Sequence, residues 1–190
     1  MCLLPRGSEL ILFDGEGQEC DGLLVGVVEG LAQVEATSRP REIAPEMKLE
    51  LVVGLPRKPA WERILRMGTE LGVTDFRPFV SRHSVARGEH LQRWERLVQS
   101  AAQQCGRGDL PRVHGLEPLA GMLLPKTRLA LVPGALRAAR PKTDLALLIG
   151  PEGGLVPAEL EGWQAVGLGP FTLRADTAAV AALSLYAPNR

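Results

Sequence analysis

The positions of apolar and polar residues divide the chain into two regions that differ in local structure. In the first region, turns such as Asp14–Gly17 and Glu29-Gly30 separate short apolar segments, at Leu10–Phe13, Gly22–Val28 and Leu31–Ala36. Asp-Gly between apolar segments is a strong signal for a β-hairpin. The pattern predicts a small β domain over residues 1–44, with a proline-containing linker over residues 38–45.

From Leu49 onward, the pattern changes to strands that alternate with amphipathic helices. Leu49–Val53 is dominated by leucine and valine, as in a strand buried on both faces. A helical stripe then runs from Trp61 to Leu71, and Gly72 is expected to end that helix. Strands are also predicted at Phe76–Val80, Leu129–Val132, Leu145–Ile149 and Ala165–Leu168, and helices at Leu91–Cys105, Pro157–Trp163 and Thr177–Ala187. The alternation predicts an α/β domain with a mainly parallel sheet over residues 45–190.

Composition narrows the class of protein without naming a function. The chain has 190 residues, of which 45% are hydrophobic and 23% charged, and these fractions are typical of a globular protein. No apolar stretch approaches the ~20 residues that span a bilayer, and the N-terminus does not resemble a signal peptide. The three cysteines and three histidines lack metal-ligand spacing. We therefore expect a cytoplasmic protein without a bound metal.

The zero net charge conceals an uneven distribution. Residues 1–56 contain 4 Lys/Arg and 10 Asp/Glu, whereas residues 57–112 contain 11 Lys/Arg and 6 Asp/Glu. A concentrated basic segment of this kind attracts a polyanion, although an ordinary solvated surface explains it equally well.

Two Gly/Pro loops follow predicted strands and form the clearest signal for a binding site. They are Gly150–Gly154 and Gly167–Pro170. Ligands of open α/β sheets bind beyond the carboxyl ends of the strands, where these loops would meet. Neither loop has the GxGxxG pattern of dinucleotide sites, and the P-loop pattern is absent.

The last predicted helix is the most apolar segment of the chain. Asp176 or Thr177 is a plausible N-cap, and the residues from Ala178 to Tyr186 are small or apolar on nearly all sides. Such a helix needs burial on several faces, within the domain or against a second subunit.

Several motifs occur in an order that resembles the ribosomal RNA small subunit methyltransferase E family of the SPOUT superfamily. They are Glu70–Val73, Ser81–Ser84, Gln103-Gln104, Gly150–Gly154, Leu168-Gly169 and Leu173–Ala178. The resemblance implies a PUA-like β-barrel domain, here shortened at its N-terminus, followed by an α/β domain with a C-terminal trefoil knot. It also implies a homodimer that binds S-adenosylmethionine and methylates N3 of a uridine in 16S rRNA of the small ribosomal subunit.

The same resemblance assigns a cofactor pocket to the two glycine loops, the end of the Leu129–Val132 strand and the segment before the last helix. Its residues are Leu131, Val132, Gly150, Pro151, Glu152, Gly153, Gly154, Leu168, Gly169, Pro170, Leu173, Arg174 and Thr177. The family usually has Thr-Glu-Thr where this chain has Ala175-Asp176-Thr177.

The acceptor chemistry suggests catalytic residues, because N3 of uridine is protonated at neutral pH. The site has to stabilise a uracil anion and accept its proton. Arg174 is suited to the first task, unless it only binds loop carbonyls. Asp176 or Glu152 is suited to the second, and for Asp176 helix capping is an equal alternative. The expected RNA contacts are Arg82, His83, Arg87, Arg93, Arg96 and Arg107.

Two other functions fit the same residues. One is a SPOUT methyltransferase for a different RNA position. The other is an RNA-binding protein that has lost catalysis, which the shortened N-terminus and the altered Ala175-Asp176 would explain.

Overall fold

The N-terminal region of the computed structural model, which describes residues 4–43, 45–83 and 88–187, is a four-stranded antiparallel sheet. Its strands are β1 (Glu9–Phe13), β2 (Gln18–Val28), β3 (Leu31–Ala36) and β4 (Arg41–Glu42). The first three confirm the predicted strands, whereas β4 lies within the predicted linker and pairs with β2. The reason is electrostatic, because the Arg41 guanidinium bonds Glu19 and Asp21 of β2 at 2.9 and 3.0 Å.

The rest of the chain forms a six-stranded sheet in which every neighbouring pair is parallel. The strands are β5 (Leu49–Gly54), β6 (Asp75–Phe79), β7 (Arg112–Val113), β8 (Thr127–Leu131), β9 (Leu145–Ile149) and β10 (Gln164–Val166), in the order β10-β8-β9-β5-β6-β7. The α/β class with a parallel sheet is therefore confirmed. The central strands β5 and β9 are buried along their whole length.

Three α-helices contribute to the larger hydrophobic core: α1 (Lys58–Glu70), α2 (Leu91–Cys105) and α3 (Ala175–Tyr186). Trp61 of the predicted α1 stripe is 1% exposed and packs edge-on against Phe76 and Trp94. Gly72 follows α1 with a φ of +90°, as expected of a residue that ends a helix in the left-handed region. None of the three described helices is long and apolar enough to cross a bilayer.

The opposite face of the sheet is covered differently. Its smaller core combines Val52, Phe79, Ala130 and Leu148 from the strands with side chains of the irregular segments 115–126 and 155–163. The second of these segments contains a short 3₁₀ helix at Pro157–Leu160, close to the helical segment predicted there.

The two sheets meet at the loop that follows α2. Leu110 N donates to Gly15 O at 3.0 Å, and Gly108 packs against Ile43. Arg107 is only 1% exposed there; its guanidinium bonds both carboxylate oxygens of Asp109 and donates to Thr69 O at 2.9 Å. The prediction that Arg107 contacts RNA is therefore wrong, because its guanidinium is buried and binds groups inside the protein.

Candidate functional site

A cavity of about 260 Å³ lies where three neighbouring strands of the parallel sheet end. The strands are β8, β9 and β10, and their carboxyl ends share one edge of the sheet because the strands are parallel. The sequence places a predicted glycine loop after β9 and another after β10. Both loops contribute to the cavity, as the pattern of strands and loops predicts.

Nine of the thirteen predicted pocket residues line this cavity. They are Leu131, Val132, Gly150, Pro151, Glu152, Gly154, Leu168, Gly169 and Leu173. Gly153, Pro170, Arg174 and Thr177 do not line it. The sequence analysis missed Pro133, Ile149, Leu155, Leu160, Val166, Phe171, Thr172, Ala175 and Ala178. Helical spacing could have found Ala175 and Ala178, which share one face of α3.

The lining is mostly apolar, and its charge is restricted to one residue. Glu152 is the only ionisable side chain among the described lining residues, and no lysine or arginine is present there. A cavity of this kind suits an apolar ring system that carries a positive charge. It suits a phosphorylated nucleotide poorly, because phosphates need cations or exposed N–H groups. The described residues contain no His/Cys/Asp/Glu group that could hold a metal ion.

The glycine loop after β9 is shaped by two close contacts. A Cβ on Gly150 would lie 2.9 Å from Leu155 Cγ, so a larger residue would displace Leu155, which lines the cavity. A Cβ on Gly153 would lie 2.6 Å from His83 Cβ. Gly153 is therefore needed for packing against the loop after β6, rather than for contact with the cavity.

This second contact brings two predicted RNA-binding residues beside the cavity. His83 packs on Gly153, and the preceding Arg82 N donates to Glu159 Oε1 at 3.1 Å. Both side chains belong to exposed residues. The loop after β6 therefore lies at the surface next to the loop that forms part of the cavity.

The other predicted RNA contacts differ in whether their side chains are available to bind RNA. Arg96 on α2 is exposed, whereas the guanidinium of Arg93 bonds Glu62 of α1 at 2.8 Å while its side chain stays 53% exposed. Arg87 lies outside the described residues. Apart from the buried Arg107, no described arginine of this set is withdrawn from the surface.

The two predicted catalytic residues lie at the start of α3. Arg174 is the N-cap residue by position and is exposed, and no described residue holds its guanidinium. The N-cap predicted at Asp176 or Thr177 is therefore wrong by two or three residues; both lie inside the first turn, and no side chain caps the helix.

Asp176 is instead bound to a helix that the sequence analysis did not connect with it. The Arg63 Nε of α1 donates to Asp176 Oδ2 at 2.7 Å, and Thr177 N lies 3.0 Å from Asp176 Oδ1. Burial raises the pKa of Asp176, but the hydrogen bonds from Arg63 and Thr177 outweigh it and leave the pKa below its ordinary value. A carboxylate held in this way is a weak proton acceptor.

The rest of α3 is buried on one side and open on the other. Ala179, Ala182, Leu183 and Tyr186 are at most 1% exposed, and the helix packs on α1 and β9. Ser184 on the other side is exposed. The predicted burial within the domain is confirmed for that inner face, and burial against a second subunit stays a prediction.

Comparisons with known proteins agree with this architecture. A family model described as an RNA methyltransferase domain matches residues 44–187. The chain is 30% identical over 201 residues to the ribosomal RNA small subunit methyltransferase E of Synechocystis sp., with 95% of this chain and 66% of the relative covered. The corresponding protein of Bacillus subtilis is 31% identical, with 95% and 82% covered.

A solved structure shares the fold over nearly the whole chain. The crystal structure of a ribosomal RNA small subunit methyltransferase E from Neisseria gonorrhoeae, bound to S-adenosyl methionine, superposes with a TM-score of 0.84. The two sequences are 26% identical, and the match covers 95% of this chain and 83% of the other. The chain thus spans about two thirds of the Synechocystis relative and about four fifths of the other two proteins.

Proposed function

Because this chain belongs to the ribosomal RNA small subunit methyltransferase E family, we propose that it methylates N3 of a uridine in 16S rRNA with S-adenosylmethionine as the methyl donor. The observation that carries the proposal is the cavity at the ends of β8, β9 and β10. Its apolar walls suit the adenine ring, and the one carboxylate among its described lining residues, that of Glu152, suits a cationic ligand.

S-adenosylmethionine supplies an activated methyl group, and this chain's residues have to prepare the acceptor. Uridine N3 carries a proton at neutral pH, so negative charge develops on the uracil ring when that proton leaves. Arg174 is exposed beside the cavity-lining Leu173, and its guanidinium is free of described partners. It is therefore able to donate hydrogen bonds to a uracil oxygen and stabilise the charge.

The proton needs a separate acceptor. Glu152 lines the cavity and is exposed, whereas the Asp176 carboxylate is occupied by Arg63. We therefore assign the proton to Glu152, directly or through water, and give Asp176 the role of holding the first turn of α3 against α1.

The RNA would approach over the loop after β6. His83 packs against Gly153 of the cavity loop, the exposed Arg82 precedes it, and Arg96 adds an exposed cation on α2. Contacts of this kind with phosphates position an RNA without reading its sequence. We also propose that the protein is cytoplasmic and that it forms a homodimer through the open side of α3. For the fold, we propose that the C-terminal region forms a trefoil knot and that the N-terminal domain is PUA-like.

The test compares two ligands that differ in one charge. S-adenosylmethionine carries a sulfonium, and S-adenosylhomocysteine has a neutral thioether in its place. Glu152→Gln should weaken calorimetric binding of the first by roughly tenfold and of the second by much less, because only the first loses an ion pair. The exposed Glu161→Gln is the matched control and should bind both ligands normally.

Activity is measured by labelled methyl transfer to small ribosomal subunits and to naked 16S rRNA, followed by nucleoside analysis. Formation of 3-methyluridine supports the proposal. A different methylated nucleoside would assign the enzyme to another RNA position. Ligand binding without transfer to any RNA would support an RNA-binding protein that has lost catalysis, and absence of both would refute the proposed function.

A further inference from the structure

One aromatic side chain of this protein is far more exposed than all the others. The chain has eight aromatic residues, and all are described. Five are at most 3% exposed, namely Trp61, Phe76, Phe79, Trp94 and Tyr186, and Phe13 and Trp163 are half-buried. Phe171 is 79% exposed, although it also lines the cavity. Exposure of so large an apolar side chain at a cavity entrance calls for a ligand that covers it.

The backbone around Phe171 restricts where its ring can lie. Gly169 has a φ of +132°, which a residue with a side chain rarely adopts, and Pro170 has a fixed φ. Phe171 follows this bend, and α3 begins at Ala175, four residues later. The bend fixes where the Phe171 backbone lies, and a phenyl side chain has only two torsion angles, so it loses little conformational freedom when it binds a partner.

Two exposed arginines lie on Phe171's own segment and on the loop that is hydrogen-bonded to it. Gly167 N donates to Leu136 O at 3.0 Å, which holds the loop after β8 beside the strand that leads to Phe171. Leu136 is 88% exposed, and the next residue, Arg137, is also exposed. Further along the chain, the exposed Arg174 follows three residues after Phe171. Exposed arginines on the segments that carry or adjoin an exposed ring match a nucleic acid, which offers both phosphates and flat bases.

We infer that Phe171 is a stacking platform for a base of the acceptor RNA at the mouth of the cavity. This inference rests on the proposed function. Stacking on an aromatic ring accepts any base, so Phe171 would hold the target nucleotide next to the methyl donor without selecting it. Arg137 and Arg174 would then contact the adjoining phosphates or the base oxygens.

The experiment uses the full chain and 16S rRNA transcribed in vitro. Phe171→Ala should weaken RNA binding by roughly 5- to 150-fold, the range expected for loss of one stacked base. Phe171→Trp should retain binding, and the fluorescence of the new indole should be quenched when RNA is added. Phe171→Leu keeps an apolar side chain without a π-face and should resemble Phe171→Ala. Leu123→Ala removes an equally exposed apolar side chain that does not line the cavity, and it should bind RNA normally.

Three outcomes would overturn the inference. The first is equal RNA binding by Phe171→Leu and Phe171→Trp. The second is a loss of RNA binding that only mirrors weaker binding of S-adenosylmethionine. The third is conversion of a dimer to a monomer by Phe171→Ala in sedimentation, since a second copy of the chain would then cover the ring. RNA binding that follows the expected order without methyl transfer by the wild type would refute the proposed function and leave the stacking role intact.

Discussion

Replacing the buried Arg107 by methionine should destabilise the protein strongly. Its side chain is 1% exposed, and its guanidinium donates to Asp109 at 2.9 and 2.6 Å and to Thr69 O at 2.9 Å. Arg107→Met replaces the side chain by an unbranched apolar one and removes the charge together with all three hydrogen bonds. The Asp109 carboxylate then loses its ion pair with Arg107 at the junction of the two sheets.

The magnitude follows from the burial of this pair. Removing one partner of a buried ion pair costs about 3–5 kcal/mol, most of it the penalty of leaving the other charge behind. The Asp109 side chain is 15% exposed, so water reaches part of it, and the lower end of the range applies. We expect a loss of about 3 kcal/mol. Arg107→Met/Asp109→Asn should recover at least about 1 kcal/mol of this loss, because the second change removes the other charge of the pair.

Urea unfolding followed by tryptophan fluorescence measures this effect. Trp61 and Trp94 are buried in the larger core and report its opening. With a slope of about 2 kcal/mol per molar urea, the midpoint should fall by roughly 1.5 M. Arg93→Met is the matched control, because the Arg93 side chain is 53% exposed and its ion pair with Glu62 therefore contributes little to stability. Equal midpoints for the two variants would show that Arg107 is not an internal anchor.

Three further predictions concern packing, pH and catalysis. Gly68→Ala should lower the melting temperature by roughly 2–10 °C, because the added Cβ would lie 2.6 Å from Phe76 Cε1; an unchanged value in calorimetry would contradict this packing. Burial raises the pKa of Asp75, but hydrogen bonds and nearby charge, led by His114, leave that pKa below its ordinary value. The stability lost in Asp75→Asn should therefore be fully present above about pH 5 and disappear as the pH falls through the folded pKa; a pH-independent difference in urea unfolding would refute this. Arg174→Lys should slow single-turnover methyl transfer by about 10²–10³ and regain rate as pH rises, whereas a defect confined to cofactor affinity would give Arg174 a structural role.

The regular elements were predictable because their signals are local. The stripe from Trp61 to Leu71 and the leucine-rich Leu145–Ile149 each carry their burial pattern within a few residues. The strand β7 was missed because two residues contain no detectable period. β4 was missed because it depends on an ion pair between Arg41 and residues about twenty positions earlier.

The site shows the same limit more clearly. The cavity was predictable because both loops that line it, after β9 and β10, are rich in glycine and proline. The partners of Arg107 and Asp176 could not be found in this way. Thr69 lies 38 positions from Arg107, and Arg63 lies 113 positions from Asp176. A charged residue in a sequence has no mark that distinguishes an internal ion pair from a contact with RNA, and only the fold decides between them.

Because β5 lies in the centre of the sheet, one of its edges stays unpaired during part of the protein's synthesis. Its first residue, Leu49, pairs with Leu145 of β9, while its other edge pairs with the nearby β6. At about 5–20 residues per second, a translating ribosome needs roughly 5–20 s to make the intervening chain. During that time one backbone edge of a strand that is buried along its whole length in the folded protein has no native partner, and such an edge readily pairs with other chains. The strands of the antiparallel sheet pair only among residues 9–42, whereas the parallel sheet cannot complete its central pairing until β9 has been made.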